Sequence, residues 1–134
     1  SQLISAFEKN CCSVIGVNEV AQEETSKYGV ISGDQVTNEN MTFILNDIVE
    51  KPQSNPPSNL AVAGRYVLSK SVFGYLQNLA PSVGGEVQLT DAIKLMMQDE
   101  KVAAYLYEGQ KFDCGSRHGY VNAIKFLANN LLDD

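Results

Sequence analysis

The stretch Ile48–Leu68, IVEKPQSNPPSNLAVAGRYVL, decides how the chain is read. It sets an acid, Glu50, next to a base, Lys51, against Pro52, and then returns through the small residues Ala61 to Gly64. Proline cannot donate to a sheet ladder, so a strand from Met41 to Lys51 stops there. Gln53–Ser58 reads as loop and Leu60–Leu68 as the next strand. Neighbouring strand residues point to opposite faces, but at a strand end Pro52 holds Lys51 extended. At that rim a short carboxylate meets a polyol while the long lysine stem reaches round to a phosphate. A carboxylate accepts from two vicinal hydroxyls, each charge-assisted bond worth ~1.5–3 kcal/mol, and lysine supplies a point charge. The plainer alternative is a solvated acid–base pair at the end of a strand.

Outward from this stretch, strands and helices interleave. Leu3, Ile4 and Phe7 recur at helical spacing over Gln2–Lys9, and SVIGVNEV (Ser13–Val20) is a β-branched run suited to a buried strand. YGVIS (Tyr28–Ser32) reads as a short strand and Gly33-Asp34 as a turn. Ser69 is placed to cap a helix running to Leu79, with Val72, Phe73 and Leu76 inward. Pro81–Gly85 is a loop before a helix carrying Leu89, Ala92, Ile93, Met96 and Met97. Val102–Tyr107 and Lys111–Cys114 read as short strands flanking Gly109. Tyr120, Val121, Ile124, Leu127 and Leu131 mark one face of a last helix. The expected class is α/β, with a mixed sheet and flanking helices.

Composition narrows the function. The 134 residues make one domain's worth of chain, and a net charge of −6 with no basic run argues against nucleic acid. No apolar stretch approaches the ~20 residues of a membrane span. Cys11, Cys12 and Cys114 suit neither zinc nor an ordinary disulfide framework, and read as buried reduced thiols in a cytosolic protein. No Ser/His/Asp or Cys/His nucleophile is visible.

Other candidates are weaker. Gly29 and the Leu60–Gly64 run let a ligand approach the backbone closely, or else serve packing. Asp113 in FDCG stands where a strand end would present a carboxylate to Mg²⁺, or simply forms a turn. His118 has no partner at ligand spacing. Glu86, Thr90 and Asp91 order a loop or cap a helix.

Five segments, YGVI, IVEKP, SNLAVAGRYVLS, GGEVQLTDAI and FDCGSRHGY, occur in an order that resembles the bacterial UTP–glucose-1-phosphate uridylyltransferases, or UDP-glucose pyrophosphorylases. The resemblance runs from Ser13 to about Ala123. EKP and AV-G are shared with thymidylyl- and cytidylyltransferases, whereas QLTDAI and DCG favour the uridylyl branch. The resemblance implies a nucleotide-diphospho-sugar transferase (Rossmann-like) fold and a cytoplasmic, Mg²⁺-dependent homo-oligomer joining glucose 1-phosphate to UTP. It gives Glu50 the sugar 2- and 3-hydroxyls, Lys51 the phosphate oxygens as the catalytic cation, Gly29 and Val62 backbone contacts with the sugar, and Asp113 the Mg²⁺. Tyr28, Asn59 and Gly115 support them.

The family's glycine-rich G-x-G-T-R loop is absent from these residues. Residues 1–134 are therefore expected to be the carboxy-terminal, sugar-phosphate-binding part of an incomplete domain, inactive alone, with an open sheet edge and an apolar surface that drive self-association. A thymidylyl- or cytidylyltransferase, or a non-catalytic regulatory module of the same fold, are the alternatives.

Overall fold

The computed structural model describes residues 1–80 and 88–130. The expected loop Pro81–Gly85, Glu86 and Leu131 lie outside the described residues. The elements are α1 (Gln2–Asn10), β1 (Ser13–Glu19), a 3-10 turn (Gln22–Lys27), β2 (Gly29–Val36), β3 (Glu39–Glu50) and β4 (Leu60–Val67), then α2 (Val72–Gln77), α3 (Leu89–Asp99), β5 (Val102–Leu106) and α4 (Arg117–Asn130).

The α/β class and mixed sheet are as expected, but the open edge is not. The strands run β1-β4-β2-β3-β5, and β5 pairs back on β1, so the sheet closes. β1 lies between antiparallel β4 and parallel β5, and Val14, Ile15 and Val17 are fully buried. Closure comes from the length of β3. Its Ile48–Glu50 end pairs with Gly29–Ile31, while its middle, Thr42–Ile44, pairs with β5.

Gly33 is not a turn residue. It sits inside β2 at a register shift, where a side chain would come within 2.5 Å of the Ile44 carbonyl oxygen. Glycine is used there for close backbone approach. The hairpin turn falls at Thr37-Asn38, with Asn38 in the left-handed region at φ 64.

α3 packs across the core because Ala92, Ile93 and Met96 fall on one face and are fully buried. Burying Ile93 and Met96 contributes about 1.5–3 kcal/mol each. α2 starts at Val72, later than expected, and Phe73 is 66% exposed rather than inward. Ser69 does not cap it. The Ser69 N–H instead donates to Ser13 Oγ at 2.8 Å, tying the end of β4 to the start of β1.

Lys111–Cys114 form no strand. Asp113 folds a turn instead, accepting the Gly115 N–H on Oδ1 at 3.0 Å, and Ser116 Oγ accepts the Gly119 N–H at 3.0 Å as an N-cap does. A side chain on Gly119 would overlap the Asp113 carbonyl, so glycine is required there. α4 has its apolar stripe, but none of its described residues is buried. The cysteines are free: Cys11 and Cys114 are exposed and Cys12 is half-buried, which corrects the expectation of buried thiols. Burial pushes the Cys12 thiol up, with Lys101 opposing.

Candidate functional site

Gly29 opens β2 and Glu50 ends β3, and the two are register partners. A Cβ built on Gly29 would lie 3.2 Å from Glu50 Oε2, 3.3 Å from Val62 Cγ2 and 3.5 Å from Thr90 Cγ2. β2, β3, β4 and α3 therefore converge on one small volume. Gly29, Val62 and Thr90 are buried and form its floor, while Glu50 is exposed above them. Burial first, and the Glu50 charge second, push the Tyr66 phenol above its usual range, so a protonated hydroxyl stands near this carboxylate.

Lys51 departs from the extended conformation expected of it. Its φ is 44, in the left-handed region, and its N–H donates to the Tyr28 carbonyl at 3.0 Å. That conformation costs a non-glycine residue roughly 1–2 kcal/mol. Buried Pro52 disfavours the right-handed helical region for Lys51 but by itself favours an extended residue before it, so it does not account for the left-handed turn. The turn also breaks the strand's strict alternation, which frees the Lys51 stem from facing directly away from Glu50. Both side chains are exposed, and neither joins an ion pair among the described residues.

Asp113 stands on its own exposed turn, but its segment is tied to the same rim. Lys111 Nζ lies 4.3 Å from the centre of the Tyr28 ring, just before Gly29. Among the described residues no group of three or more His, Cys, Asp or Glu side chains could hold a metal. Mg²⁺ commonly takes only one or two protein carboxylates and completes its shell with water and substrate phosphates. Asp113 fits that limited role, with Oδ1 engaged by Gly115, and it makes no cage alone. Asn59 is exposed, and its backbone carbonyl accepts the Val20 N–H at 3.0 Å. His118 is exposed in the first turn of α4.

The cluster is an open rim. A cavity of about 520 Å³ between α1 and the β2–β3 hairpin is lined by none of its residues. Thr90 is the member that sequence reading assigned elsewhere, to loop order or helix capping. Its position before Ala92-Ile93 on the buried face of α3 was the available signal.

A model of the nucleotidyl transferase family matches residues 2–130. The chain belongs to that family. It is 42% identical over 131 residues to a UTP–glucose-1-phosphate uridylyltransferase of Pseudomonas aeruginosa, covering 97% of this chain and 46% of the relative. It is also 42% identical over 121 residues to the Bacillus subtilis protein of that name, covering 90% of this chain and 41% of the relative. Among solved structures, UDP-glucose pyrophosphorylase complexed with UDP-glucose superposes with a TM-score of 0.86 at 40% identity, covering 96% of this chain and 48% of that one. The chain thus spans less than half the length of these nucleotidyl transferase relatives, and its fold is theirs over that part.

Proposed function

We propose that residues 1–134 form the sugar-phosphate-binding part of a UTP–glucose-1-phosphate uridylyltransferase. The carrying observation is the convergence of Glu50 on the floor made by Gly29 and Val62, with Lys51 next in the chain. The names of the relatives and the UDP-glucose complex among the solved neighbours support the choice of substrate.

In this reading Glu50 accepts hydrogen bonds from the sugar 2- and 3-hydroxyls. Gly29 and Val62 present backbone groups where no bulky side chain intervenes. Lys51 Nζ donates to the glucose 1-phosphate oxygens and orients them. A phosphate oxygen attacks the α-phosphorus of UTP in line; the new P–O bond forms as the bond to pyrophosphate breaks. Positioning and charge carry such a step, so no protein nucleophile is required. Asp113 would hold Mg²⁺, which supplies offsetting positive charge. The nucleotide-binding part, a cytoplasmic location and a homo-oligomeric assembly belong to the same proposal, with no nucleic-acid or membrane partner. No helix among the described residues is long and apolar enough to cross a membrane.

Calorimetric titration with glucose 1-phosphate tests the reading. The chain should bind it, and Glu50→Gln should weaken binding about 10- to 100-fold by replacing charge-assisted bonds with neutral ones. Equal affinity in the wild type and the variant removes Glu50 from the site.

A further inference from the structure

Thr90 lies in the first turn of α3, is 7% exposed, and its buried Oγ1 has no hydrogen-bond partner among the described residues. Buried hydroxyls are paired in the large majority of cases, because leaving one unpaired carries the desolvation penalty in full. A valine of the same shape would fill this position without that penalty. The hydroxyl therefore calls for a partner that the resting arrangement does not supply.

The candidate partner is adjacent. Thr90 Cγ2 and Glu50 Oε2 lie 3.5 Å and 3.2 Å from one point, the space left open by the missing side chain of Gly29. Threonine in a helix divides between two χ1 rotamers, and a rotation step can carry the hydroxyl into the place held by the methyl while the methyl moves to that of the Cβ hydrogen. The methyl now faces that shared space, and one rotamer step carries Oγ1 toward it. Glu50, in turn, has no ion-pair partner among the described residues to fix its carboxylate. An orphan donor and an unanchored acceptor stand across a gap that glycine keeps clear.

We propose that Thr90 is a positioning residue for Glu50: the Thr90 hydroxyl samples a second rotamer in which it donates to the Glu50 carboxylate, and a ligand bearing vicinal hydroxyls at the rim makes that rotamer the dominant one. That bond fixes the plane in which the carboxylate accepts from the two hydroxyls. The inference rests on the reading of Glu50 as the group that grips the sugar.

The test uses the 134-residue chain with glucose 1-phosphate as probe. Thr90→Val should weaken binding about 5- to 10-fold, Thr90→Ser should restore it to within about twofold, and Thr90→Val should add nothing in a Glu50→Gln background. A serine variant as weak as the valine one, or a valine effect that persists without the carboxylate, overturns the proposal. A second measurement needs no ligand. Three-bond couplings to Thr90 Cγ2 report its χ1 populations, and these should differ between the wild type and Glu50→Gln. If glucose 1-phosphate does not bind the wild type, the functional reading fails by itself. Unchanged χ1 populations in Glu50→Gln then overturn the Thr90 proposal as well, whereas a shift upholds the Thr90–Glu50 coupling.

Discussion

Gly29 and Glu50 face one another across β2 and β3, and any side chain on Gly29 would meet the Glu50 carboxylate at 3.2 Å. Gly29 does not occupy the left-handed region, so backbone strain is not the reason for glycine here. Gly29→Ala should therefore separate stability from binding. The atoms it meets are ends of side chains, and the exposed carboxylate can swing into solvent, so unfolding by urea should shift by no more than about 1–2 kcal/mol. Displacing the carboxylate should weaken glucose 1-phosphate binding by roughly tenfold or more. Intact binding in a folded Gly29→Ala chain would show that the glycine serves packing alone.

Tyr75 and Asp99 tie α2 to α3 through a hydrogen bond of 2.8 Å. That bond, chiefly, pushes the phenol up to about 12, with the Asp99 and Glu100 charges adding to it. The ordinary value is near 10, so the unfolded chain releases this proton first as pH rises. The stabilisation is fully present below pH 10 and is lost as the pH climbs from 10 to 12. Tyr75→Phe should melt below the wild type at pH 8, with the gap closing toward pH 12. A constant gap across that range would exclude the Tyr75 proton as its source.

The strands and helices around the site were legible because their patterns are local. The β-branched run of β1, the proline after Lys51 and the spacing of Ala92, Ile93 and Met96 each specify an element without reference to distant residues. The errors came from long-range terms. Gly33-Asp34 carries a turn signature, yet the close passage of the Ile44 carbonyl is what requires the glycine. Sheet closure depends on β3 serving two partners at different points along its length, which residue types alone do not reveal. The family resemblance named Gly29 and Glu50 as separate sugar contacts, and their pairing across β2 and β3 was not read from the sequence. Nor was the place of Thr90, because an unpartnered buried hydroxyl is a property of packing.

α4 leaves Tyr120, Val121, Ile124 and Leu127 between 43% and 56% exposed, a continuous stripe on a helix with no buried side chain among its described residues. Phe126 reaches back, its ring centre 5.4 Å from that of Phe112. A stripe of this kind on an otherwise closed fold favours association. Sedimentation of the chain should show a mass that rises with concentration, and Ile124→Glu with Leu127→Glu should return it to a monomer. Exposed substitutions usually change stability by no more than about 0.5 kcal/mol, so the doubly substituted chain should keep its urea midpoint closely. A wild-type chain that stays monomeric at high concentration would remove α4 as an association surface.

Lys51 combines an unfavourable backbone with a charge that joins no ion pair among the described residues, and the two can be pulled apart by substitution. Its φ of 44 is comfortable only for glycine, so Lys51→Gly relieves roughly 1–2 kcal/mol of conformational cost. Greater freedom of the unfolded chain takes back about 0.4–1 kcal/mol of this. The glycine variant should thus be as stable as the wild type or slightly more so, whereas Lys51→Ala keeps the strain and gains nothing. Both remove the ammonium, and both should weaken glucose 1-phosphate binding by about tenfold while leaving glucose itself nearly unaffected. Urea unfolding and calorimetry on the three chains provide the comparison. If the glycine variant gains stability and keeps its phosphate affinity, the left-handed turn would be a defect unrelated to the site. Stability held or gained with phosphate affinity lost would mean that the chain tolerates strain at Lys51 in order to aim its charge.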